Sequence, residues 1–246
     1  MGKRERLDKL LVERGLVASR EEGRRRILAG EVLVDDRPFA KAGSLIDAGS
    51  PIRLRGKAMP YVSRGGVKLE GALRHFQIDV TDKIALDVGA STGGFTDCLL
   101  AFGARRVYAV DVGYGQLDWK LRNDPRVLVR EKTNIRNLEP GELAEPADFA
   151  TIDASFISLR LVLPSVRNLL APKGEIAALI KPQFEVGKGK VGKGGVVRRR
   201  EEHERVIGEI RGAAGALQLQ VIGVFESPLV GPRGNKEFFI YLRKTD

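Results

Sequence analysis

The sequence predicts an α/β protein, a mainly parallel sheet with helices between its strands, preceded by a small α+β domain. Three observations carry this expectation. Beyond residue 60, apolar strand-like runs alternate with helical stretches, the rhythm of βαβ units. The first of those runs ends in a Gly-rich turn that opens a helix, as at a ligand-binding edge. Upstream, a separate helix and strand pattern ends at Gly56-Lys57-Ala58-Met59-Pro60, where glycine and proline punctuate a linker. With 246 residues there is room for a catalytic core and one small domain. The boundaries expected are 1–56, a linker at 57–61, and 62–246.

Taken in order, Leu7, Leu10 and Leu11 between Arg4 and Arg14 fall at helical spacing, and Gly15 stands where a helix stops. Ser19 with Glu22 matches a capping box, and the turns behind it carry Arg20, Arg24, Arg25 and Arg26 until Gly30. Glu31 to Val34 reads as a strand, Asp35-Asp36 as a turn, and Ile52 to Arg55 alternates as a half-buried strand does. Further strands are expected at Ile84 to Val88, Val107 to Val110, Val127 to Arg130, Phe149 to Ile152 and Glu175 to Ile180. Val221 to Phe225 and Phe238 to Leu242 lie too close together for a crossover helix, so they should pair antiparallel at one side of the sheet.

The formal charge of +10 favours a polyanionic partner, nucleic acid before an anionic membrane surface. Through residue 60 there are fourteen Lys and Arg against nine Asp and Glu, so the excess is partly local. No apolar run approaches the roughly 18 residues that span a bilayer, and no apolar stretch follows Met1-Gly2-Lys3-Arg4-Glu5-Arg6; a cytoplasmic location is expected. The single cysteine, Cys98, forms no internal disulfide. With only His75 and His203 beside it, no metal site is expected.

The turn after the first catalytic-domain strand is Asp87-Val88-Gly89-Ala90-Ser91-Thr92-Gly93-Gly94-Phe95. It departs from G-x-G-x-x-G, because three residues separate Gly89 from Gly93. Instead it resembles motif I of class I methyltransferases, which implies a Rossmann-like fold with this loop around the methionine part of S-adenosylmethionine. Asp111, ending the second strand, stands where such sites bond ribose hydroxyls. Thr133-Asn134 after the third strand is either an adenine contact or an ordinary turn former.

Arg6-Leu7-Asp8-Lys9-Leu10-Leu11, Ser19-Arg20 and Gly30-Glu31-Val32-Leu33-Val34 look like the S4 RNA-binding fold. The resemblance implies Arg20, Arg24, Arg25 and Arg26 as phosphate contacts, with Arg4, Arg6 and Arg64 as further RNA-facing candidates. Phosphate contacts position RNA without reading its sequence.

The fourth strand runs into Asp153-Ala154-Ser155-Phe156, not the Asp/Asn-Pro-Pro-aromatic motif of amine methylation. Cys98 lacks the context of a cytosine-C5 nucleophile. Present instead are Lys68 in Ser63-Arg64-Gly65-Gly66-Val67-Lys68, Asp153, Lys181 in Lys181-Pro182-Gln183-Phe184, and Glu237 in Asn235-Lys236-Glu237-Phe238. Their order resembles the Lys-Asp-Lys-Glu tetrad of FtsJ-type ribose 2'-O-methyltransferases, and an S4 domain added to it looks like the TlyA, or hemolysin A, family. That resemblance implies methylation of cytidine 2'-hydroxyls in ribosomal RNA, of the large subunit and in some members the small one, with ribosomal RNA or a ribosomal subunit as partner. Lys181 is then either the base that takes the hydroxyl proton or a protonated group that steers the oxygen. Lys68 acts on it by like-charge repulsion, and Asp153 and Glu237 orient both ammonium groups.

The segment from Lys188 to Arg200, with four glycines and six basic residues, is either a loop closing over RNA or cofactor or a plain surface loop. Two competing functions are a catalytically silent RNA-binding or ribosome-assembly factor and a membrane-active hemolysin. The Arg-rich helix lacks the Trp, Phe and Leu face of an interfacial helix, which disfavours the latter.

Overall fold

The computed structural model describes residues 4–17, 19–39, 41–55, 59–187, 191–192 and 194–245. The chain divides into two compact units, Met1–Met59 and Pro60–Asp246. Of the expected linker, Lys57 and Ala58 lie outside the described residues, as do Gly56 before it and Lys188, Gly189, Lys190 and Lys193 of the basic segment.

In the first unit, β1 (Arg4–Arg6) leads into α1 (Leu7–Glu13), and α2 (Arg20–Leu28) follows. Ser19 Oγ accepts the Glu22 N–H at 3.1 Å, so the N-cap that the sequence suggested is formed. β2 (Val32–Val34) is the middle strand of a three-stranded antiparallel sheet, between β3 (Arg37–Pro38) and β5 (Ile52–Leu54). Asp35 and Asp36 have φ of 49° and 63°, the left-handed pair that a tight hairpin needs. Strand β1 was not legible as such: Arg4 to Arg6 pair with β4 (Leu45–Asp47), a partner too remote for local periodicity to reveal. Leu7, Leu10, Leu11, Ile27, Val32 and Ile46 form the core. Gly23 lets α2 lie close on α1, since a Cβ there would sit 3.3 Å from Leu11 Cδ1.

In the second unit, α3 (Arg64–Phe76) precedes β6 (Ile84–Val88), α4 (Gly94–Ala101), β7 (Arg106–Val110), α5 (Trp119–Arg122) and β8 (Val127–Arg130). β9 (Ala147–Ile152), α6 (Leu159–Leu169), β10 (Leu170–Ile180) and α7 (Pro182–Glu185) come next. α8 (Arg200–Ala216), β11 (Leu219–Glu226) and β12 (Phe238–Lys244) complete it. The seven strands are ordered β11-β12-β10-β9-β6-β7-β8. β6 to β10 are mutually parallel, while β12 inserts antiparallel between β10 and β11. The antiparallel pair thus sits at one side, as the short connection requires.

β6 is apolar throughout apart from Asp87 because both faces of a parallel sheet are covered. Ile84, Leu86 and Val88 enter the core beneath α6 and α8, and Ala85 enters the one beneath α3 and α4. The chain leaves β6 toward β7 in one direction, and β9 lies on β6's other side, so strand order reverses between β6 and β9. In open α/β sheets the crevice beyond the strand ends at such a switch point is where ligands sit. Phe149 on β9 is wholly buried at the centre of the sheet. Phe149→Ala should lower the unfolding free energy by about 3–5 kcal/mol. Urea unfolding followed by circular dichroism checks this, the midpoint falling at unchanged slope.

Candidate active site

Register brings the site together. Val88 pairs with Val110 on one side and Ile152 on the other, and Ile152 pairs with Ala178. Gly89, Asp111, Asp153 and Lys181 therefore emerge from the carboxyl ends of four adjacent strands. Ile180 pairs with Phe238, which sets Glu237 beside Lys181's strand end. Gly89 has φ +83°, and a Cβ on it would lie 2.8 Å from the Asp153 carbonyl oxygen. Only glycine permits this approach.

Two cavities of about 450 Å3 each open at this edge. The first lies among Arg64, Lys68, Ala90, Thr92, Gly94, Phe95 and Gly231; the second among Val110, Asp111, Gln116, Asn134 and Ile157. Gly89, Ser91 and Asp153 line both, so the cavities adjoin at the loop. The first has cations and the start of α4 in its wall. The second combines apolar side chains with a carboxylate. Asp111 accepts the Ser91 N–H at 2.8 Å and the Gly113 N–H at 2.6 Å, which fixes its carboxylate at the cavity wall. Asn134 lines the second cavity, and its Oδ1 caps the following turn by accepting the Arg136 N–H at 3.1 Å.

The four tetrad residues form two ion pairs. Lys68 Nζ lies 2.6 Å from Glu237 Oε2, and Lys181 Nζ lies 2.6 Å from Asp153 Oδ1. Lys181 also donates to Ser155 Oγ at 2.8 Å and toward the Asp153 carbonyl at 3.4 Å. Lys68 and Asp153 line the first cavity, whereas Glu237, 1% exposed, sits behind Lys68. Glu237 Oε1 has no hydrogen-bond partner among the described residues, and a Cβ on Gly231 would lie 2.0 Å from it. A buried pair is poor evidence of stabilisation, since desolvation offsets its attraction; what it fixes is position.

Three expectations need correction. Asp87 was read as a cofactor contact, but it is fully buried beneath the loop, accepting from Thr96 Oγ1 at 2.7 Å and Thr151 Oγ1 at 3.1 Å. It supports the loop. Gly93 lines neither cavity; a Cβ there would run into Leu121 and Leu117. Arg26 is not a spare cation, because Glu22 at 3.0 Å and Glu31 at 3.7 Å hold a side chain only 13% exposed. Cys98 is buried in the core, as a small packing residue.

Other residues carry roles that the sequence did not assign. Ser155 and Gln116 carry no motif signal, yet one bonds Lys181 and the other accepts from Ser91 Oγ at 3.2 Å. Glu185, buried in α7, accepts from Ser158 Oγ at 2.5 Å and the Leu159 N–H at 2.7 Å, tying the loop after β9 to the segment that carries Lys181. Asn235, also buried, accepts the Val197 N–H at 3.0 Å and donates to the Gly195 carbonyl at 3.0 Å. In the first unit, Arg6, Arg20 and Arg24 all reach the buried carboxylate of Asp8. Arg4 and Arg25 are exposed.

The family described as FtsJ-like methyltransferase matches residues 61–244, and the S4 domain matches residues 5–52. A Mycobacterium tuberculosis protein named 16S/23S rRNA (cytidine-2'-O)-methyltransferase TlyA is 46% identical over 100% of this chain and 92% of its own. Hemolysin A of Brachyspira hyodysenteriae is 37% identical over 96% of this chain and 98% of its own. A solved structure from Streptococcus thermophilus that carries a hemolysin name is 44% identical, covers 100% of this chain and 90% of its own, and superposes with a TM-score of 0.79. No described helix is long and apolar enough to cross a membrane.

Burial pushes the Asp87 carboxyl up to about 7 from an ordinary 3.8, against the opposing hydroxyl bonds. The folded state therefore holds this proton more tightly than the unfolded one. The stability it contributes is complete below about pH 4 and is lost as pH rises through about 7. Asp87→Asn, neutral at every pH, removes the dependence: its melting temperature minus that of wild type should be more positive at pH 8 than at pH 5, read by calorimetry.

Proposed function

Since the chain belongs to the FtsJ-like methyltransferase family, we propose that it transfers the methyl group of S-adenosylmethionine to cytidine ribose 2'-hydroxyls of ribosomal RNA. The large-subunit RNA is the principal substrate and the small-subunit RNA a further one. Residues 1–56 hold RNA, 57–61 link, and 62–246 carry the chemistry. The enzyme acts in the cytoplasm, where its substrate is made and assembled. The observation that carries this reading is the pair of ion pairs, Lys68 with Glu237 and Lys181 with Asp153, at the edge of a cavity walled by the glycine loop. The order of these residues is that of a 2'-O-methyltransferase tetrad.

The chain's own residues suit the methyl donor. Gly89, Ser91, Thr92 and Gly94 offer backbone close to the amino-acid end, and Asp111 offers acceptor lone pairs to ribose hydroxyls at the other. Val110, Ile135 and Ile157 give the adenine an apolar slot. When bound, S-adenosylmethionine supplies an electrophilic methyl on a sulfonium. Asp153, common to both cavities, marks where the acceptor oxygen must come. A ribose hydroxyl is a weak nucleophile until its proton is taken, and Lys181 takes it after releasing to solvent the ammonium proton that its ion pair with Asp153 holds. Asp153 would then balance the ammonium that results on Lys181. Lys68 faces the cavity and neutralises negative charge there, held by Glu237. Glu237 is a positioning residue, since among the described residues its side chain bonds only Lys68.

Lys181→Ala should lower methyl transfer about 10²–10⁴-fold, the range a positioned general base supplies. RNA affinity should stay within about threefold of wild type. Labelled methyl transfer to purified ribosomal subunits and naked ribosomal RNA, with mass-spectrometric mapping of the product nucleotide, measures the first. Filter binding measures the second. Equal turnover by wild type and variant would falsify the assignment, and tight binding without label on any substrate would favour a silent assembly factor.

A further inference from the structure

Asp8 is wholly buried, yet it is the acceptor on which three arginines from two elements converge. Arg6 Nε donates to Oδ1 at 2.9 Å and its Nη2 to Oδ2 at 3.0 Å. Arg20 Nη2 and Arg24 Nε reach the same Oδ2 at 3.1 and 3.2 Å. Arg20 and Arg24 stand four apart on α2 and so share its face. Gly23 lets that face close onto α1, where a Cβ at 23 would meet the Asp8 carbonyl at 3.5 Å.

The charge balance is uneven. Three guanidiniums meet one carboxylate among the described groups bonded to it, and the three side chains remain 42%, 51% and 55% exposed. A guanidinium carries more N–H donors than these bonds use. The spare donors belong to side chains that remain about half exposed, on arginines that would otherwise repel one another and scatter. Rigid forks suit phosphate oxygens, and holding them in place beforehand removes the ordering cost from binding.

We infer that Asp8 is a positioning residue for RNA: it holds Arg6, Arg20 and Arg24 as one preformed surface for backbone phosphates. This rests on the reading of residues 1–56 as the RNA-holding part. Charge alone makes the opposite prediction, which gives the test its sign. Asp8→Asn removes a negative charge, so a simple attraction between basic protein and RNA would tighten.

The experiment uses the full chain and purified bacterial large-subunit ribosomal RNA, with filter binding across a salt series and methyl-transfer kinetics. Asp8→Asn should weaken binding about tenfold, as loss of charge-assisted hydrogen bonds does. The slope of log Kd against log salt should become shallower by about one to two, roughly one for each phosphate no longer neutralised. KM for RNA should rise while kcat and S-adenosylmethionine affinity stay at wild-type values, a split that general unfolding would not give. Unchanged or tighter RNA binding overturns the inference. Should Asp8→Asn fail to fold, Arg20→Lys with Arg24→Lys decides: charge is kept and fork geometry lost, so weakening of about fivefold or more supports the role and wild-type affinity overturns it. Arg20→Ala with Arg24→Ala separates the two layers. If that variant binds as wild type does, the RNA-holding reading of the unit fails and the inference with it; if it weakens while Asp8→Asn does not, only the inference fails.

Discussion

The close passage of Gly89 against the Asp153 carbonyl is the constraint on which the second unit's site depends. Strands β6 and β9 are neighbours, and their loops must diverge immediately beyond Val88 and Ile152 to leave a crevice. A residue with a side chain at 89 would occupy the space between the two loops, 2.8 Å from the carbonyl oxygen, and would have to hold a left-handed backbone as well. With glycine there, the loop turns beneath Asp153 and the two cavities meet at one carboxylate. Asp87, two residues before that glycine, holds the loop from below through Thr96 and Thr151.

Around that passage, charge is arranged by burial. Each lysine of the tetrad is held by one carboxylate at 2.6 Å, with Lys68 and Asp153 lining the first cavity and Glu237 and Lys181 standing behind them. Isolated buried charges are costly, so pairing is what allows two ammonium groups to stand close to the cavity. Ser155 and Glu185 extend the same arrangement outward, one restraining the lysine and the other the loop that faces it. The first unit uses the same device in a different balance: Asp8 is buried and its cations are only partly so, which leaves positive charge on the surface instead of neutralising it. The Arg6 guanidinium beside Asp8 holds that carboxyl well below the usual range.

How much was legible followed from the range of the interactions. The alternating strands and helices were, because covering both faces of a parallel sheet demands continuous apolar runs, as at Ile84–Val88. The N-cap at Ser19 was, because it is closed within three residues. β1 was not, because its partner lies about forty residues away. Arg26 and Arg24 look alike in sequence; only the helix's orientation shows that one faces glutamates and the other Asp8.

The sequence by itself determined the classes of group available: a glycine loop after an apolar strand, two lysines and two acids in a recognisable order, and a basic helix near the start. These depend on local chemistry and chain order, which a linear string preserves. Only the tertiary structure decided which acid meets which lysine, that Asp87 lies under the loop instead of in the crevice, and that Asp8 gathers three arginines. Those outcomes turn on strand register and helix packing, where a shift of one residue sends a side chain to the opposite face.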